Sequence, residues 1–228
     1  MITRLLTALC MSVLLAAAAP APTLAPAPAL IDRLKPWDEA AQDPSFVTFR
    51  KKLQHIVERK DIAGLKASLA TDILNNFGGG KGFAAFDNAW KLHDPHSAVW
   101  PALAGVLKLG GYFDSKTAFS APYVFAAWPN DLDSFNYVAV TTADAVIRKA
   151  ADAKSDVVRK LDYDLIEVVQ SDGRPQHEAG PDDWAEVKDR KGNHGFILVR
   201  DIRSPLDFRA TFEKRGSKWV VASFVSGE

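Results

Sequence analysis

Five short β-branched and aromatic runs follow one another between Ala145 and Val199, and no other feature narrows the possible folds as much. They are Ala145-Val-Ile-Arg148, Val157-Val-Arg-Lys-Leu161, Tyr163-Asp-Leu-Ile-Glu-Val-Val169, Trp184-Ala-Glu-Val187 and Gly195-Phe-Ile-Leu-Val199. Tyr137-Val-Ala-Val-Thr141 leads into them. Runs of this kind, parted by Gly, Pro, Asp and Ser at roughly 8–12-residue spacings, predict a small β-barrel or sandwich. It would span residues 136–204.

The preceding half has a different period. Asp43-Pro44-Ser45 is a helix start, with Asp43 as N-cap and Pro44 at the first helical position. Phe46, Phe49, Leu53, Ile56 and Val57 then recur at helical spacing, with Arg50, Lys51, Lys52, Glu58 and Arg59 opposite. Asp61 caps a second helix through Ile62, Leu65 and Leu69, whose last turns, or a short third helix, reach Ile73 and Leu74. Phe77-Gly-Gly-Gly-Lys81-Gly82 lacks the Ser or Thr that a phosphate loop needs after its Lys, and reads as a turn between helices. Phe83, Phe86 and Trp90 form one more helical face. Val99, Trp100, Leu103, Val106 and Leu107 form another, capped by Ser97 and ended by Gly110-Gly111. With the apolar connector around Ala121–Trp128, these predict a helical domain over 44–135.

Arg4 followed by an uncharged apolar run from Leu5 to Ala19 predicts a secretory signal peptide cleaved after Ala18. The run is shorter than the ~20 residues that span a bilayer. Residues 19–43 are Ala/Pro-rich and read as a spacer. Residues 205–228 read as a C-terminal β-hairpin packed on the barrel. A three-residue loop Arg215-Gly216-Ser217 would face Phe212 with Val220 and Phe208 with Phe224. A two-residue loop would set Arg209 against Phe224.

Composition and chemistry exclude several functions. Lys+Arg and Asp+Glu both number 28, a balance that gives no pull on nucleic acid. Cys10 leaves with the signal, so the mature chain has no thiol for a disulfide, a metal or catalysis. His93-Asp94-Pro95-His96 lacks a third ligand at a recognisable distance, and neither H-E-x-x-H nor G-x-S-x-G occurs. No metal, cofactor or catalytic residue is therefore assigned. Trp184 opens a strand after a polar loop and Tyr163 stands at a turn, so both are ligand-stacking candidates. Arg203, Asp207 and Arg209 are candidates for a structural ion pair joining barrel to hairpin.

The order and spacing of the β runs resemble the bacterial SH3-like (SH3b) domain. The chain as a whole resembles a family of uncharacterised bacterial exported proteins that carry one. The resemblance lies in Phe77-Gly-Gly-(x2)-Gly82 with Phe86 and Trp90, and in Ala121-Pro122-Tyr123 with Trp128-Pro129. It continues in Arg203-Ser-Pro-Leu-Asp207-Phe-Arg-Ala210 and in Lys218-Trp219 with Phe224-Val-Ser-Gly-Glu228. It implies an α+β chain: an N-terminal helical domain, an SH3-like β-barrel and a C-terminal hairpin extending that barrel. It also implies periplasmic or secreted location and aromatic-lined grooves for peptide or peptidoglycan fragments. The Ser171–Pro181 loop is longer than is usual there. The resulting expectation is a non-enzymatic envelope protein that binds peptidoglycan stem peptide or an extended protein segment, with no stable membrane span after signal cleavage. The alternatives are a hydrolase sited near His93 and His96, and a structural or assembly protein.

Overall fold

The computed structural model describes residues 32–76, 80–169 and 179–227. The expected signal peptide and residues 171–178 of the long loop lie outside the described residues.

Asp43 starts α1 (Pro44–Glu58) as the sequence predicts. Its Oδ1 accepts from the Ser45 amide at 2.7 Å and the Phe46 amide at 3.2 Å, while Pro44 fills a position that needs no N–H. Asp61 does the same for α2 (Ile62–Ser68), accepting from the Gly64 amide at 2.9 Å. There the helix stops. The Leu65–Leu69–Ile73 spacing reads as helix, yet Leu69–Leu74 is a strand, β1, paired in parallel with the last strand of the chain. Leu69, Ala70 and Ile73 are buried in that strand, so tertiary pairing outweighs the local period. Next come α3 (Gly82–Trp90), α4 (Val99–Lys108), β2 (Tyr112–Ser115), β3 (Ala118–Ala121) and α5 (Tyr123–Ala126). The rest is β4 (Tyr137–Val140), β5 (Val146–Arg148), β6 (Val157–Lys160), β7 (Leu165–Val168), β8 (Trp184–Lys188), β9 (His194–Leu198), β10 (Ile202–Arg203), β11 (Arg209–Arg215) and β12 (Lys218–Val225).

Among the described residues the strands form two sheets. The first has the order β1-β12-β11-β3-β2. Ala210 and Phe212 of β11 and Trp219 and Val221 of β12 share one core with Phe46 and Leu53 of α1 and Leu103 and Val106 of α4. Phe46 sits at its centre, 4.3 Å from Phe119, 4.9 Å from Trp219 and 5.5 Å from Phe212 between ring centroids. Such pairs contribute ~0.5–1.5 kcal/mol each beyond area burial. The expected separate helical domain is therefore not formed. Helices this short need a partner for their apolar stripes, and the C-terminal hairpin supplies it.

The second sheet has the order β10-β4-β7-β8-β9-β5-β6, with every pairing antiparallel. It is inserted into the first. The chain leaves after Ala121 of β3 and returns before Ala210 of β11, and those two residues are cross-strand partners. Val138, Val140, Ile147, Ile166, Val187 and Ile197 fill its core. Gly195 permits the β9–β5 approach, because a Cβ there would lie 2.2 Å from the Arg148 carbonyl oxygen.

The SH3-like barrel expected over 136–204 is not present. Its strands form close to the predicted positions, but among the described residues β10 and β6 end the order unpaired with each other. A barrel needs that last ladder, and β10 is only two residues long. The class is α+β with two mostly antiparallel sheets and no closed barrel.

The two sheets meet through Leu34, Tyr123, Val124, Ala139 and Leu165, with Leu109 and Tyr112 packed against them. The end of the expected spacer is held here. The Leu34 amide donates to the Tyr163 carbonyl and the Leu165 amide to the Asp32 carbonyl, both at 2.9 Å.

The β11–β12 hairpin corrects the expected register. Arg215 pairs with Lys218, leaving the two-residue loop Gly216-Ser217 with Gly216 at φ 66°. That loop puts Phe212 opposite Val221, and a bulge at Ala222 then sets Ala210, not Arg209, opposite Phe224. The bulge removes the polar–apolar clash that favoured a three-residue loop.

Candidate functional site

The far edge of β6 carries two adjacent exposed apolar residues on a strand that ends its sheet. Val157 is 47% exposed and Val158 40%. The Leu161 amide donates to the Ala145 carbonyl at 2.8 Å, and Arg159 stands opposite Ile147. The β5–β6 register shifts between Ile147 and Arg148, which sets Arg148 opposite Val157 and leaves Val158 as a bulge, so regular alternation holds only from Arg159 onward: Arg159 and Leu161 address β5, and Lys160 addresses the open edge. The Lys160 amide and carbonyl are thereby presented to an incoming strand.

Arg159 fixes that edge in place. Its Nη2 donates to Asp164 Oδ1 at 2.6 Å and its Nη1 donates to Asp189 Oδ2. Asp189 also accepts from the Lys191 and Asn193 amides, each at 2.8 Å, and from Asn193 Nδ2 at 2.7 Å. Burial alone would raise the Asp189 pKa, but the bonds from Asn193 and Arg159 outweigh it and hold the carboxyl below its ordinary value. The bonds to Asp189 and Asp164 and their charges hold the Arg159 pKa above its ordinary value against burial. The network joins β6 to the β6–β7 turn and the β8–β9 turn.

The two ligand-stacking candidates are not brought together. Val168 is opposite Val187, so Trp184 lies three positions beyond that pair in one direction and Tyr163 five in the other, roughly 25 Å of strand in all. Trp184 is half-buried on the face opposite the core, paired with Leu198. Tyr163 sits in a left-handed turn at φ 57°. Its neighbour Tyr123 is fully buried, and burial pushes that phenol up to about 12.

Arg203, Asp207 and Arg209 stand where the inserted sheet rejoins the first. Arg203 Nη2 donates to the Phe208 carbonyl at 2.5 Å, and Arg209 Nη2 to the Gly227 carbonyl at 2.6 Å. The Ser204 amide donates to Asp207 Oδ2 at 3.2 Å. Burial lowers the Arg203 pKa, and the Asp207 charge offsets part of that. Arg209 also lies 4.8 Å over the Phe125 ring, a contact across the junction.

No family model matches the chain, and no curated protein does. Among solved structures, an NTF2-like protein of unknown function from Pseudomonas putida KT2440 is similar at 12% identity, over 84% of this chain and 89% of that chain, with a TM-score of 0.26. A likeness at that level carries no argument.

Two other places were candidates for chemistry. His93 and His96 are exposed in the α3–α4 turn, with His93 Nε2 3.8 Å from Asp87. Between α1 and α4 lies a groove of about 610 Å³ lined in part by Val57, Trp100 and Leu107. Those three side chains are at most 4% exposed, while Pro101 and Ala104 of the same lining are exposed.

The β6 edge was missed in the sequence, although a signal is there. Val157-Val-Arg-Lys160 has no period-two alternation, and a run with charge reaching both faces suits a sheet's edge.

Proposed function

We propose that this is an exported, non-enzymatic binding protein of the bacterial cell envelope that takes up an extended protein segment by strand addition at β6. The open edge of β6, with Val157 and Val158 exposed beside unpaired backbone groups, is the observation that carries the reading. In strand addition, main-chain hydrogen bonds supply affinity and alternate side chains supply selectivity. A backbone already held by Arg159 loses little further entropy on binding. The apolar run after Arg4 supports export. The stem-peptide alternative drew on the aromatic-lined groove of an SH3-like barrel, and that barrel is not formed among the described residues.

The test is fluorescence anisotropy with a labelled ten-residue peptide of alternating Val and Thr. The wild-type protein should bind it, and Lys160→Pro should lose at least about tenfold in affinity by deleting an outward amide. Circular dichroism verifies that the variant folds. Equal binding by the two proteins would sink the reading.

A further inference from the structure

We infer that the protein docks on an anionic lipid surface through Trp37 and the lysines around it. This goes beyond the strand-addition reading and does not depend on it, since α1 and α4 pack on the first sheet and β6 belongs to the second. Trp37 is 58% exposed, more than any other large hydrophobic side chain described. Its indole has no ring, cation or hydrogen-bond partner among the described residues. The backbone beneath it is nevertheless fixed. Asp38 accepts from Arg50 Nη1 at 2.8 Å and Nη2 at 2.7 Å, and the Glu39 amide donates to the Gly111 carbonyl at 2.9 Å. Gly110, at φ 67°, lets this segment lie against the end of α4, because a Cβ there would come within 2.8 Å of the Trp37 carbonyl oxygen. An exposed indole on a backbone already held loses little further entropy on binding.

The charges beside Trp37 are positive, although the chain as a whole is neutral. Lys51 and Lys52 follow Arg50 on α1, and Lys108 stands two residues before Gly110, in line with the exposed Pro101 and Ala104 of α4. Lys51, Lys52 and Lys108 make no ion pair among the described residues. The acids near them are taken: Asp38 by Arg50, Glu39 by the Phe113 amide at 3.0 Å, and Asp43 by Lys214 at 3.1 Å. Toward the far end of α1 the charges balance, Glu58 and Asp61 against Arg59 and Lys60. An indole flanked by lysines matches a headgroup layer, with the ring between acyl chains and water and the ammonium groups at the phosphates. A protein partner fits less well. No other exposed large hydrophobic side chain belongs to α1, α4 or this segment, and a protein interface buries a core of several.

The experiment sediments the protein as exported with phosphatidylcholine vesicles, with and without phosphatidylglycerol. At low salt the vesicles with phosphatidylglycerol should bind it at least about tenfold tighter, with the gap closing near about 0.5 M salt. Trp37→Ala, and the pair Lys51→Glu with Lys108→Glu, should each lose at least about tenfold, with folding verified by circular dichroism. The part of the tryptophan emission that Trp37→Phe removes should shift to the blue on binding. Equal binding to the two kinds of vesicle, binding unchanged in Trp37→Ala, or no binding to either overturns the inference. Binding to polyglutamate that equals binding to the anionic vesicles makes an acidic protein the occupant and overturns it as well. None of these results touches the peptide assay at β6.

Discussion

Asp43 serves two elements at once. It caps α1, accepts from the Ser45 hydroxyl at 2.6 Å, and meets Lys214 Nζ of β11 at 3.1 Å. Ser45 Oγ also accepts from Trp219 Nε1 at 3.0 Å, so the helix start is tied to the hairpin on both strands. The Ser45 hydroxyl first, and then Lys214 and the cap amides, lower the Asp43 pKa from 3.8 to about 2 against burial. The folded value lies below the unfolded one. The carboxylate's contribution is therefore present above pH 3.8 and lost as pH falls through about 2. Asn at this position keeps the cap but not the charge. The stability gap between wild type and Asp43→Asn, from urea midpoints, should be widest above pH 4 and close toward pH 2. A gap independent of pH would show that the charge is not its source. This residue's role was legible, because Asp-Pro before an amphipathic run has few other readings; its Lys214 partner, 171 residues away, was not.

Among elements, the strands of the second sheet were the most legible and their edges the least. Each run carries its own β-branched residues and turn signals, but which run ends a sheet depends on what pairs beside it. β6 is held by Arg159 more than by packing, since two of its four residues are exposed valines. Arg159→Ala would leave Asp189, whose side chain is 1% exposed, facing no cation. Removing one partner of a buried pair costs ~3–5 kcal/mol. Hydrogen exchange of β5 and β6 amides should accelerate in that variant while amides of β11 and β12 keep their protection. Uniform acceleration across both sheets would mean that the network stabilises the whole unit. The hairpin gives a second lesson. Trp219 and Val221 are odd-numbered and Phe224 is even, so one buried face requires a bulge between them, and Ala222 is that bulge.

For the whole molecule, the decisive fact is that Ala121 and Ala210 are paired although 88 residues lie between them. That arrangement makes the second sheet an insertion in a smaller α+β unit. Replacing residues 122–207 with Asn-Gly would leave a four-residue connection, Asn-Gly-Phe208-Arg209, between the paired alanines. The shortened protein should fold cooperatively with its α1–β12 core intact, at a lower melting temperature because Leu109 and Tyr112 lose their cover. Far-ultraviolet circular dichroism and a thermal melt test this. A molten product without a cooperative transition would show that the first sheet needs the second.

The sequence alone determined what is local: the Asp43 and Asp61 caps, the amphipathic stripes of α1 and α4, most strand positions, and the α+β class. Those features depend on residues within one turn of helix or one strand, where propensity and period act directly. The tertiary structure decided what depends on contacts across the chain. It turned Leu69–Leu74 into a strand beside β12, merged the helices with the hairpin, and left the second sheet open with β6 at its edge. Pairing and closure are decided by which distant faces bury each other best, and no window of a few residues contains that comparison.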